Sequence, residues 1–209
     1  MGRKVDLTKE HPEYYSARPE PELVEIGEAQ YLTIEGVGPP GSPEFQEKLR
    51  TLYSLAYAVK SICKGRGMDF VVPKLEGLWE IESGRPPSEA LPGEWKLLIR
   101  MPGFVSQEIV EEARSKVAQK KGIKNVGEVR FERMREGKCV QALHVGPYSA
   151  EEESVERLKK FAEERGLELV GPHHEIYLSD PRRTPESRLK TIIRYPVRAQ
   201  TPTPPRGEG

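Results

Sequence analysis

Glu175, in the run His174-Glu175-Ile176-Tyr177-Leu178, is the residue whose type and neighbours best suit chemistry. Read as a strand, the segment alternates with period two, so Ile176 and Leu178 share one face and Glu175 and Tyr177 the other. The apolar pair suits a covering layer of helices, which turns Glu175 and Tyr177 toward open space. A carboxylate set among aromatic rings loses hydration, and its neutral form gains. Such a group can attract a cationic ligand or take a proton from water as a general base. The competing reading is a solvated glutamate on an open sheet face.

Trp79 is the second candidate. In the run LEGLWEI (75–81), Leu75, Gly77, Trp79 and Ile81 share a face, and Gly77 removes a side chain beside the indole. That gap would admit a planar ligand. Aligning Glu80-Ile81 with Glu175-Ile176 instead sends Trp79 to the helix side, as ordinary core. Both placements stay open in the sequence. Tyr53 and Tyr57 lie one helical turn apart and project together, and Tyr148 follows a Gly146-Pro147 turn. Each of the three fits the rim of a pocket and fits simple packing equally well.

His144, His173 and His174 raise the question of a metal. Adjacent strand residues point to opposite faces, so His173 and His174 cannot chelate together, and no Cys/His cluster has zinc spacing. The run GVGPPG places prolines where a phosphate-binding helix start needs free amides. We therefore expect neither a metal nor another cofactor.

The elements that must position these residues occur in a repeated order. EGVGPP, at Glu35, and LHVGPY, at Leu143, each lead into a helical pattern. Glu-Ile follows each helix, at Glu80-Ile81 and Glu175-Ile176. Each unit then ends on similar words, LLIRMP (97–102) and TIIRYP (191–196). This predicts an α+β fold, a tandem repeat of two β-α-β-β units about a pseudo-twofold axis. Helices would cover one side, and a ligand groove would lie on the other.

The first unit spans about 23–102, with a helix from about Phe45 to Lys64, capped by Ser42 and carrying Leu49, Leu52, Leu55, Val59 and Ile62 on one stripe. Its strands are expected at Leu23 to Glu35, Phe70 to Ile81 and Trp95 to Met101. A linker helix follows at 106–121. The second unit, about 127–197, opens with a hairpin turning at Glu136-Gly137-Lys138. It continues through a helix at 150–165 and strands at about 174–178 and 189–195. Residues 1–20 read as a mobile arm or an edge covering, 21–199 as one small-molecule-binding domain and 200–209 as a disordered tail.

Across 209 residues, 33 basic and 33 acidic side chains cancel. That balance gives no electrostatic footprint for nucleic acid. No apolar run is long enough to cross a bilayer, and the first residues lack the apolar core of a signal peptide. Two cysteines, Cys63 and Cys139, cannot form a disulfide framework. These features predict a cytoplasmic protein with no nucleic-acid or membrane partner, and they leave its oligomeric state open.

LHVGPYSAEEES, HEIYLSDP and LKTIIRYPV together resemble the gyrase-inhibitor-like (GyrI-like) small-molecule-binding superfamily, over roughly Leu23 to Val197. The resemblance implies two repeats around a ligand groove, with a glutamate at its floor matched here by Glu175. Some members are the sensing halves of transcription regulators; this chain shows no helix-turn-helix partner and is similar to the stand-alone members. Those include hydrolases that open the strained cyclopropane rings of DNA-alkylating natural products. Glu175 would then be the base or water-orienter, with Trp79, Tyr177, Tyr148, Tyr53 and Tyr57 lining the ligand site. The implied partner is a hydrophobic or aromatic small molecule, with cationic ones included. The alternatives are a non-catalytic protein that sequesters drugs and an interaction protein that modulates gyrase.

Overall fold

The computed structural model describes residues 4–79, 93–120 and 122–200. Among these residues, seven strands and five α-helices follow the order α1 (Leu7–Glu10), α2 (Pro12–Tyr15), β1 (Glu22–Val37), α3 (Pro43–Gly65), β2 (Leu75–Trp79), β3 (Glu94–Met101), α4 (Gln107–Ala118), β4 (Arg130–Val145), α5 (Glu152–Glu163), β5 (Leu167–Leu169), β6 (His173–Tyr177) and β7 (Lys190–Ala199). The three long helices begin and end near the predicted points. Ser42 accepts from the amide of Phe45 at 3.2 Å with Pro43 in the first turn, and Ser106 caps α4 through Ile109. Gly67, at φ +81°, lets the chain leave α3 in a left-handed turn.

Pairing around the sheet runs β4-β1-β3-β2-β6-β7, and β7 returns to β4, so these strands close into an antiparallel ring. β5 adds to the end of β7 through Leu167↔Ala199. Each half supplies three neighbours in matching order, β1-β3-β2 and β4-β7-β6. The halves meet at two seams, β1–β4 and β2–β6. The long helices α3, α4 and α5 lie against one face of this ring and the N-terminal arm against the other.

Against α3 and α4 lie Leu32, Ile34, Trp95, Leu97 and Ile99. Against α5 lie Val140, Ala142, Ile193 and Tyr195. The opposite face carries Tyr31, Leu98, Cys139, Ile176 and Ile192. That face is not an open groove, because the arm covers it with Leu7, Tyr14 and Tyr15, all buried. Val5 bridges to Phe70, and the carbonyl of Arg18 accepts from the amide of Leu143. The arm is thus a packed layer of two short helices.

Two further expectations change. No hairpin forms at Glu136-Gly137-Lys138: β4 runs unbroken from Arg130 to Val145 and pairs with β1 along most of its length. Gly137 instead takes φ +71°, a local twist within the strand. In addition, β2 starts at Leu75, five residues beyond the predicted Phe70. Glu80-Ile81 and the tail 201–209 lie outside the described residues.

Candidate functional site at the seam between β2 and β6

Register brings the candidates together. Across the β2–β6 seam Gly77 pairs with Glu175, and Trp79 with His173. All four sit on the helix-facing side, since Trp79 belongs with α3 while Ile176 joins the arm. The face predicted for Glu175 is therefore reversed. Ile176 is matched by apolar residues of the arm, so both faces of β6 are buried and alternation cannot tell them apart.

Gly77, directly opposite Glu175, leaves a gap that its neighbours fill. A Cβ there would lie 2.8 Å from the Trp79 Nε1 and 3.0 Å from the Tyr177 hydroxyl. The indole N–H donates to that hydroxyl at 3.2 Å. Trp79 also stacks on Phe45, from the first turn of α3, with ring centroids 6.1 Å apart. Tyr148, from the 3-10 turn Tyr148–Ala150 before α5, meets Tyr177 edge-on at 5.9 Å. Tyr148 and Tyr177 are half-buried and form the outer rim.

Beneath the rings the site is polar. His173 Nε2 lies 2.9 Å from a Glu175 carboxylate oxygen, and His173 Nδ1 lies 2.5 Å from the Tyr195 hydroxyl. A ring carrying one N–H serves both partners: Nε2–H donates to Glu175, and Nδ1 accepts from Tyr195. Glu151 completes the group. Its backbone caps α5, yet its side chain makes no capping bond and turns into the cluster. It is fully buried, neither carboxylate oxygen has a hydrogen-bond partner, and one of them stands 3.9 Å from His173 Nε2.

Burial, followed by the nearby Glu175 carboxylate, pushes the Glu151 carboxyl up to about 10. Burial and the same two carboxylates push the Tyr148 hydroxyl up to about 12. Burial and then Glu175 hold Tyr177 well above the usual phenol range. Glu151, His173 and Glu175 each offer one donor atom within 4.8 Å of the others. Such a set could surround a cation, and a proton shared between the two carboxylates satisfies the same excess of negative charge. Sequence reading missed Glu151 because it stands in the run Glu151-Glu152-Glu153, which resembles any solvated first turn. His173 was passed over as half of an adjacent pair.

Tyr53 and Tyr57 stand apart from this cluster. They stack on each other along α3 at 6.3 Å. Tyr53 is half-buried, and Arg182 and Asp180, from the loop after β6, act on its hydroxyl. Tyr57 is 57% exposed. It lines a separate cleft of about 460 Å³ between α3 and α4, with Ser61, Arg66, Glu112 and Lys116. The buried Glu151–His173–Glu175 cluster lies elsewhere, so we place the candidate chemistry at the seam.

Residues 100–198 match the family described as the GyrI-like small molecule binding domain. A crystal structure of an uncharacterized conserved protein from Listeria innocua is 36% identical, with TM-score 0.87, covering 93% of this chain and 100% of its own. The chain belongs to the GyrI-like family. Two crystal structures of Listeria innocua hydrolases are also similar. One is 35% identical at TM-score 0.83, covering 93% of this chain and 100% of that one. The other is 34% identical at 0.82, covering 94% and 100%. No curated protein matches. The GyrI-like domain thus carries its buried carboxylates where its two halves meet. Among the described residues, no helix is long and apolar enough to cross a membrane.

Proposed function

We propose that this GyrI-like protein binds a hydrophobic, aromatic small molecule at the β2–β6 seam and hydrolyses a strained electrophilic one by opening a cyclopropane ring. The observation that carries this reading is Glu175. It is 3% exposed, held by His173 at 2.9 Å and placed beneath Trp79 and Tyr177. Ligand entry displaces the half-buried rims of Tyr148 and Tyr177, and the indole of Trp79 offers a flat wall for a conjugated substrate.

Glu175 takes a proton from water as the water oxygen attacks a ring carbon; the carbon–carbon bond breaks, and its electron pair passes into the conjugated acceptor. Ring strain and conjugation supply much of the driving force, so one oriented water and one base suffice. The hydrolases of Listeria innocua, similar over nearly the whole chain, lend support. We also propose that a pseudo-twofold axis relates the halves, in line with their matching strand orders.

The test is incubation of the purified protein with a cyclopropane-bearing, DNA-alkylating natural product, followed by mass spectrometry. A product one water heavier, formed over many turnovers and reduced about 10²- to 10⁴-fold in Glu175→Gln, is expected. Unchanged compound recovered from a tight complex would replace hydrolysis by sequestration.

A further inference from the structure

The two buried carboxylates of the seam are not equivalent. Glu175 receives the His173 N–H at 2.9 Å, whereas Glu151 stands 3.9 Å from the same nitrogen and has no hydrogen-bond partner on either oxygen. Among the described residues, the titratable groups around the pair are His173, Tyr148, Tyr177 and Tyr195. None is an Arg or a Lys. Two ionised carboxylates with oxygens within 4.8 Å, and no Arg or Lys beside them among the described residues, repel strongly at low dielectric.

We propose that Glu151 is the proton-holding partner of Glu175: a neutral carboxylic acid whose O–H is held against the Glu175 carboxylate, so that the pair shares one proton and one negative charge. In its catalytic half this inference rests on the hydrolase reading. The O–H occupies one side of Glu175, His173 occupies another, and the remaining lone pairs are turned toward the attacking water. Glu151 is thus a positioning residue, acting through Glu175. The direction of its carboxyl, pushed up to about 10 by burial and by Glu175, agrees with the geometry. A neutral Glu151 also explains how a side chain at a helix start can be buried without making a capping bond.

Infrared spectroscopy of the full chain near neutral pH tests the proton directly, and kinetics test its use. A carboxylic-acid carbonyl band is expected in the wild type and absent from Glu151→Gln. The side-chain amide introduced by that change can still donate to Glu175. Glu151→Gln should therefore keep kcat within about threefold, while losing the fall in rate that wild type shows as pH rises toward 10. Glu151→Leu has no donor and should lose about 10- to 100-fold in kcat, the worth of one hydrogen bond to a charged group, with KM little changed.

A wild type with no such band, or a band that survives in Glu151→Gln, overturns the proposal. So do Gln and Leu variants of equal activity, or a wild-type activity that a chelator removes and a divalent cation restores. If the wild type turns over no substrate, the hydrolase reading fails, and the infrared band still decides where the proton sits.

Discussion

Neighbouring residues of β6 face two buried polar regions that handle charge in opposite ways. His174 points to the arm-covered side. Its two nitrogens lie 2.8 Å from Glu136 and 3.0 Å from Glu76, so both must carry hydrogen and the ring is an imidazolium. Arg194, fully buried, donates to Glu136, to Gln141 and to the backbone carbonyl of Tyr14. The Tyr14 hydroxyl donates to Glu76 at 2.5 Å. Two carboxylates face two cations, and one oxygen of Glu76 and the Tyr15 hydroxyl are left without a partner.

On the other side of the same strand, Glu175 and Glu151 face one imidazole and, among the described residues, no Arg or Lys. Burial is common to both regions, so burial alone does not mark function. The matched region suits a scaffold; in the unmatched one, the proposed site, negative charge is in excess among the described residues.

Stability measurements on each side test that contrast, and Arg194→Met should have the largest effect. It takes from Glu136 and Glu76 one of their two cations, and urea denaturation should show a loss of about 3–5 kcal/mol. A loss below about 1 kcal/mol would make the inner network dispensable and the comparison empty.

The pH dependence comes next. Burial opposes the charge on His174, but Glu136 and then Glu76 overcome it and raise the imidazole from 6.5 to about 9. Burial likewise opposes ionisation of Glu136, but His174 and Arg194 lower its carboxyl from 4.5 to about 2. The His174 contribution is therefore complete below pH 6.5 and lost as pH rises through 9. The Glu136 contribution is complete above pH 4.5 and lost as pH falls toward 2. Thermal melts should peak between those limits and lose on the order of a few kcal/mol by about pH 10. Replacing His174 with Gln should flatten the alkaline side.

Glu151→Gln makes the converse point at the seam. Removing an unmatched carboxyl should leave stability unchanged, or raise it by about 1 kcal/mol, in the same urea assay. A loss as large as that of Arg194→Met would mean that Glu151 belongs to the scaffold. Comparably small in stability, and instructive for ligand binding, is Gly77→Ala. The added methyl collides with Trp79 and Tyr177. It should cost about 1 kcal/mol in folding, and calorimetric titration with an aromatic ligand should show weaker binding.

Much of this was legible beforehand, for physical reasons that differ by element. The stripe from Phe45 to Ile62 and the Ser42 and Ser106 caps foretold α3 and α4, because helix periodicity and capping are local. Glu175, Trp79, Tyr148 and Tyr177 could be picked out as residue types, and register then gathered them at one seam. The face of β6 was not legible. It depends on Leu7, Tyr14 and Tyr15, far away at the start of the chain, supplying a second apolar layer. Glu151 was hidden for a related reason. Nothing in an acidic first turn tells which carboxylate turns inward, and only the packing of Tyr148 and β6 decides it. Likewise, Gly137 between charged residues reads as a turn until the long partner β1 holds β4 straight.

Closure of the ring also bears on how such a protein could change its ligand. Every strand from β1 to β7 except the short β5 is hydrogen-bonded on both sides. The ring cannot spread to admit a bulkier guest without breaking a ladder. Adaptation to new compounds should therefore accumulate in the parts that lean on the ring from outside: the first turn of α3, the Tyr148 turn and the loop that follows β6.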